Sequence, residues 1–308
     1  MNWILTYLKG VAMGSADVVP GVSGGTIAFI TGIYDRLLGA ISSVNGKSLK
    51  LLFTGKIMGF LEAIDYKFLL VLFAGIATAI VSLAKLITYL LEHHEVPLWS
   101  FFFGLIIASS ILIIRQIKKW NVVSVSMLLL GTAIAWYLTS MEQIQLPDTL
   151  LGDFFSGFVA IIAMILPGIS GSYILVMLGK YEHIIGLISS LTGGDLSVLP
   201  SIIVFCLGCL SGLLIFARIL KWLLAHYHDI VVAALIGFMI GSLNKVWPWK
   251  ITLETYLDSH GNIKPLVQEN IAPPAYDSRF FIALAIALGG LAFVLVLEKF
   301  GNQKKAIV

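Results

Sequence analysis

Charge is scarce in this sequence. Asp, Glu, Lys and Arg together supply 12% of its 308 residues, roughly half the share of a soluble domain. With 58% hydrophobic residues and a mean hydropathy of +0.96, the chain reads as a multi-spanning membrane protein. Cysteine is nearly absent. Cys206 and Cys209 are the two present, in an apolar helix without nearby His or acidic partners. They fit small-residue packing better than a redox pair or half a metal site. No basic stripe is interleaved with aromatics, so nucleic-acid binding has little support. The N-terminal MNWILTYLKG lacks a basic flank and a cleavage site, and is read as mature sequence. There is no HExxH, no GxxxxGK[ST], no convincing Ser–His–Asp set and no motif that calls for a cofactor or metal.

What is present is length in apolar runs. A spanning helix needs about 20 mostly apolar residues. Six stretches qualify: 68–91, 97–114, 122–141, 199–220, 230–246 and 280–297. Lys47, Lys50, Lys56 and Lys67 fall in one loop, Arg115, Lys118 and Lys119 in another, and Lys299, Lys304 and Lys305 in the tail. Positive charge marks the cytoplasmic side, so both termini are expected there. The opposite loops are acidic or mixed, with Glu92 and Glu95, then Glu142, Asp148 and Asp153, then 248–278. Six Trp residues near span ends fit an aromatic belt.

Two further apolar regions, 10–43 and 154–190, are interrupted by PGVSGGT (20–26) and PGISGSY (167–173). Charge placement favours re-entrant hairpins from opposite faces, with a broken full span as the alternative. Residues 20–43 align with 167–190 without gaps at 11 identical positions of 24. With another offset, Gly75 falls on Gly208, Lys85 on Arg218, His93 on His226, Gly104 on Gly237 and Ser109 on Ser242. The expected fold is an all-α polytopic membrane protein with an inverted-topology repeat. Each copy holds one re-entrant hairpin plus three spans, over 1–146 and 147–308, within one integrated domain. Three spans per copy is odd, which inverts the second copy. Inverted repeats with interrupted helices are a transporter signature.

Pro and Gly break each helix, and an apolar helical stretch resumes after the break. Free N–H groups of Ser23, Gly24, Gly25 and Thr26 would then face a tip, as would Ser170, Gly171 and Ser172 in the second copy. Backbone donors at a helix start favour an anion, and the hydroxyls of Ser23, Thr26, Ser170, Ser172 and Tyr173 add to them. Lys85 follows 17 uncharged residues and Arg218 follows 22. An intramembrane cation is either functional or snorkels to the interface. Arg suits phosphate through its planar fork. Arg36, beside Asp35, is either a further ligand or an interfacial ion pair. Asp17 has no charged counterpart. It either carries a coupling proton or sodium ion or caps backbone N–H groups.

The run GSADVVPGVSGGTIAFITGIYDRLLGAI and its echo ILPGISGSYILVMLGKYEHIIGLI resemble the PopT-like family of bacterial polyprenyl-phosphate translocases, over essentially the whole chain. The resemblance implies a carrier-lipid recycler of the cytoplasmic membrane, which returns undecaprenyl phosphate from the outer to the inner leaflet. It implies a polyprenyl phosphate lipid as partner, no catalytic role, and a phosphate head held between the hairpin tips with the prenyl tail in the bilayer. A small-anion channel or exchanger is the competing class. A membrane enzyme acting on lipid phosphate has the least support. The sequence carries no signal for oligomeric state.

Overall fold

The computed structural model describes residues 2–19, 22–141, 143–257 and 263–302. Pro20 and Gly21 of the first phrase, Glu142 and the tail lysines Lys304 and Lys305 lie outside that set.

The chain is helical. α1 (Trp3–Asp17) and α2 (Gly24–Ile30) flank the first break, and α3 (Tyr34–Ser42), α4 (Gly46–Phe53) and α5 (Ile57–Ala63) follow as short helices. Three long helices complete the first half: α6 (Tyr66–His93), α7 (Glu95–Ile114) and α8 (Val122–Ser140). The second half holds α9 (Leu150–Ile165), α10 (Gly171–Met177), α11 (Tyr181–Thr192), α12 (Leu199–His226), α13 (His228–Ser242) and α14 (Ser278–Asn302), with no α-helical counterpart of α4 and α5 among the described residues. One element has no forerunner in the apolar pattern. β1 (Lys250–Leu257) and β2 (Ile263–Asn270) pair antiparallel between α13 and α14. Side-chain caps start many of the helices, as expected where the first N–H groups lack intrahelical partners. Asn2 caps α1, Asn45 caps α4 with Ser48 in a reciprocal box, Asn121 caps α8 and Thr149 caps α9.

Five helices among the described residues are long and apolar enough to cross a membrane: α6, α7, α8, α12 and α14. The stretch expected at 230–246 forms α13, whose 15 residues rise only about 22 Å at 1.5 Å per residue. Its helix ends at Ser242, before the turns that lead to Trp247. α10 and α11 are not one straight span either, since they bend by 107° at their break.

Both broken regions fold back on themselves. Lys9 Nζ, in the second turn of α1, donates to Thr31 O at the end of α2, at 2.5 Å. In the second copy the segment before α9 runs beside the end of α10, with Ile144 N–H donating to Met177 O at 2.7 Å. The two return arms stop alike. Gly32 (φ +69°) and Gly179 (φ +67°) occupy the same repeat position. Each stop carries the paired 6→1 and 5→2 bonds of a Schellman motif, Ile33 N to Ala28 O with Gly32 N to Phe29 O, and Lys180 N to Leu175 O with Gly179 N to Val176 O. A left-handed residue there needs glycine.

The halves interlock. α1 packs on α6 as α9 packs on α12, and α7 packs on α14 as α13 packs on α8. Glycines set the closest crossings: Gly10 and Gly75, Gly157 and Gly208, Gly104 and Gly290, Gly131 and Gly237. In each pair a β-carbon would strike the backbone of the facing helix, the close approach that small residues permit between membrane helices. α7 and α13 lie innermost and supply much of the buried core, including Phe102, Leu105, Ile106, Leu235, Ile236 and Met239. α6, α8, α12 and α14 instead expose large apolar side chains such as Phe73, Val81, Leu129, Leu207 and Leu288. That belt is far more apolar surface than a soluble protein leaves uncovered. At the belt's rims His93 stacks on Tyr89 and His226 on Trp222, each ring on the residue four before it.

Candidate functional site

The first break is closed by its own side chains. Asp17, the last residue of α1, accepts the Gly24 N–H at 2.7 Å. The Ser23 hydroxyl accepts the Gly25 N–H at 3.1 Å, and Ser23 O accepts the Thr26 N–H at 3.0 Å. The expectation that Gly24, Gly25 and Thr26 leave free N–H groups for an anion is therefore corrected. Those donors are spent within the first break, because the Asp17 carboxylate and the Ser23 hydroxyl sit within reach of the helix start. Of the two roles open to Asp17, it takes the cap in this arrangement.

The two breaks meet. α9 ends at Ile165, and the last carbonyls of a helix lack intrahelical partners. The Ser23 hydroxyl lies 3.2 Å from Met164 O and 3.4 Å from Leu166 O, and Tyr34 donates its hydroxyl to Ile165 O at 2.9 Å. The Thr26 hydroxyl oxygen accepts the Gly168 N–H at 2.9 Å. Ser23, Thr26 and Tyr34 are buried. Gly25 is required by the approach, since a β-carbon there would fall 2.8 Å from Ile165 O. Gly168, at φ +92°, turns the second phrase back against Met239.

The second tip is built differently. Ser170 starts α10 without a side-chain cap. Its hydroxyl and that of Ser172 are 2.8 Å apart and bond to one another. Tyr173, at the Thr26 position, turns instead to α8 and donates to Leu138 O at 3.3 Å. The first tip reaches across with its hydroxyls, while the second offers mainly backbone and keeps its serine pair. Gly171 sits against α9, where a β-carbon would be 2.7 Å from Ala160 O.

The cations expected beside the tips lie elsewhere. Arg36 Nε donates to Asp65 at 2.6 Å, and its guanidinium lies 4.3 Å from the Phe68 ring centroid. Lys85 is exposed on α6. Arg218 is exposed on α12 and donates to Val44 O, just beyond α3. Lys85 and Arg218 still hold matching places, each eight residues before its helix ends at His93 or His226.

A charged cluster went unforeseen. Lys180, fully buried, lies 2.7 Å from Asp148 and 3.1 Å from Asp153. His183 Nε2 stands 3.0 Å from Asp153 Oδ1, without the alignment of a hydrogen bond. Asp153 is 1% exposed and Asp148 64%. Lys180 donates one proton to each carboxylate, and its bond to Asp148 holds that loop carboxyl below the usual range. The available signal was repeat alignment. Ile33 and Arg36 occupy the first-copy positions of Lys180 and His183, so the second copy trades an apolar residue for a cation.

Residues 13–264 match the undecaprenyl phosphate translocase-like family. A polyprenyl-phosphate transporter of Vibrio cholerae serotype O1 is 44% identical over 309 aligned positions, covering 98% of each chain. Another polyprenyl-phosphate transporter, from Staphylococcus aureus, is 35% identical and covers 80% of this chain and 87% of its own length. No solved structure matches.

Proposed function

Since the chain belongs to the undecaprenyl phosphate translocase-like family, we propose that it carries undecaprenyl phosphate between the leaflets of the bacterial cytoplasmic membrane, with the phosphate head passing where its two broken helices meet. The protein is a multi-pass membrane transporter, not a catalytic enzyme, and its task is recycling the lipid carrier of envelope synthesis.

The observation that carries the route is the joining of the breaks by hydroxyls. Ser23, Thr26 and Tyr34 hold the backbone of 164–168. Hydrogen bonds at depth can be exchanged for bonds to phosphate at little net cost, whereas an apolar seal would leave the anion unpaired. In this reading the structure is the closed state. Opening frees the Ser23 and Thr26 hydroxyls and the Gly168 N–H to face the head group, beside Ser170, Gly171 and Ser172. Release of the Asp17 cap would likewise free the Gly24 N–H, which makes Asp17 the candidate for a coupling proton or sodium ion.

The repeat gives direction to the path. With the basic loops cytoplasmic, the two copies have opposite orientations and both termini are inside. The α6–α7 turn and the β-hairpin then face outward. Lys85 would lie toward the outer leaflet and Arg218 toward the inner one, each exposed where a lipid phosphate at the bilayer edge could pair with it. Arg36, tied to Asp65, would mark the inner interface.

The deciding experiment is leaflet exchange of labelled undecaprenyl phosphate in proteoliposomes, read by an impermeant reagent. Wild type is run beside Ser23→Ala and Arg218→Ala, with chloride and phosphate flux measured in the same vesicles. Exchange that falls in both variants is expected. Anion flux without lipid exchange would overturn the reading in favour of a small-anion channel or exchanger.

A further inference from the structure

At the end of the molecule where α8 and α13 finish and the β-hairpin begins lies a cavity of about 310 Å³, lined among others by Thr139, Ser140, Asn244, Lys245, Lys250 and Asn270. That is the size of a small-ligand site. Two ammonium groups share its wall. Lys250, the first residue of β1, donates to Lys245 O at 2.6 Å and lies 4.1 Å from the Trp99 ring centroid. Lys245, three residues past α13, lies 4.8 Å from the Tyr173 ring centroid. Neither forms an ion pair with a carboxylate among the described residues. Two carboxylates are near. Glu95 accepts from Trp99 Nε1 at 3.1 Å and Gln268 Nε2 at 3.4 Å, and Glu269 stands exposed at the rim.

Burial holds the Lys245 ammonium below its ordinary range, and burial together with the Lys245 charge brings Lys250 down to about 7. Glu95 opposes both shifts without cancelling them. Two neighbouring, half-buried ammonium groups that share one distant carboxylate repel each other, and an anion between them offsets that repulsion. Donors stand ready. The Ser140 hydroxyl accepts from Asn244 Nδ2 at 3.0 Å and keeps its own proton to give.

We infer that this cavity is a binding site for a phosphate-type oxyanion, gripped by Lys245 and Lys250. Resting on the proposed function, the anion is a prenyl phosphate head group taken up on the side away from the basic loops. Tyr173 then joins the site to the second tip, since its ring meets Lys245 and its backbone lies in the first turn of α10. Inorganic phosphate offers the same chemistry, so the test separates the two sources.

The full chain in lipid nanodiscs is titrated with farnesyl phosphate, farnesol and inorganic phosphate, by calorimetry and thermal shift. Wild type is compared with Lys250→Met and Lys245→Gln. Farnesyl phosphate should bind and farnesol should not, and each variant should weaken farnesyl phosphate by about tenfold or more, as loss of a charge-assisted bond does. Lys250→Met should melt close to wild type, because the half-buried ammonium it removes forms no ion pair among the described residues. A phosphate monoester has its second pKa near about 6, so from pH 7 to 9 the ligand's charge is steady. Affinity should fall across that window as Lys250, faced by Lys245, Glu95 and Glu269, loses its proton. Lys250→Met should flatten the decline. Unchanged farnesyl phosphate affinity in both variants overturns the site. Inorganic phosphate that binds through these lysines and is not displaced by farnesyl phosphate overturns the head-group assignment. Lysine-dependent binding in a wild type that exchanges no lipid keeps the oxyanion site and overturns the transport reading alone.

Discussion

The Thr26 hydroxyl accepts a hydrogen bond from the Gly168 N–H at 2.9 Å, across 142 positions of sequence. It ties the first broken helix to the second inside a buried joint. Thr26→Val keeps the shape and removes the acceptor. A buried N–H left unpaired costs about 1–3 kcal/mol, so the variant should melt several degrees lower. Thr26→Ser should restore most of that. Exchange should fall in the valine variant and recover in the serine one. A valine variant with wild-type melting and exchange would remove this bond from both the fold and the path.

Lys180→Met should be more damaging than any surface change. It strands Asp153, which is 1% exposed, and breaking a buried ion pair from one side costs about 3–5 kcal/mol. Asp148 is mostly exposed and adds little. The double variant Lys180→Met with Asp153→Asn should regain much of the loss, measured by thermal melting in detergent. No regain would mean that the Lys180 stem, not its charge, fills the site.

The Lys180–Asp148 bond predicts a small acid limb. Lys180 depresses the Asp148 carboxyl, so its stabilisation is complete above the ordinary carboxylate value of about 3.9. It is lost as pH falls through the lowered folded value. Melting of wild type against Asp148→Asn between pH 7 and 3 should converge at the acid end. Curves that stay parallel would show that this carboxylate is not coupled to folding.

Arg36 and Arg218 should separate. The exposed Arg36–Asp65 pair is worth at most about 1 kcal/mol, so Arg36→Ala should fold and keep most exchange. Arg218→Ala should fold and insert, yet lower exchange about tenfold or more, as expected when a bidentate phosphate partner is lost. Equal exchange in the two variants would leave Arg218 with only its bond to Val44 O.

Topology can be read directly. In a Cys206→Ala, Cys209→Ala background, Ser43→Cys should react with impermeant thiol reagents from the side of the basic loops, and Ser190→Cys from the opposite side. Labelling of both from one side would refute the inverted arrangement.

Much of this architecture was legible because membrane helices announce themselves by length and because the break was written twice. The gapless match of 20–43 with 167–190 located both breaks, while the glycine stops at Gly32 and Gly179 were not singled out. The joint itself was half legible. Ser23 and Thr26 could be named, but a sequence does not say that the Ser23 hydroxyl will turn to the carbonyls of 164 and 166 or that the Thr26 oxygen will take the Gly168 N–H. Asp17 shows the limit in one residue, since capping and coupling demand the same carboxylate. Lys180 was missed because its partners lie 27 and 32 positions upstream, in a loop that reads as solvated acid. Lys245 and Lys250 were missed because their partial cover comes from a β-hairpin whose polar strands carry no apolar signal.

The interlocked halves have a consequence for how the protein is made. Gly104 fits against α14 near Gly290, and the ribosome reaches that partner 186 residues later. At about 5–20 residues per second, α7 waits roughly 10–40 s in the membrane before its groove is filled. α8 likewise waits for α13. The first half is therefore an obligate intermediate of biogenesis with two open seams. Truncation after α8 should yield a substrate for membrane quality control, not half a transporter.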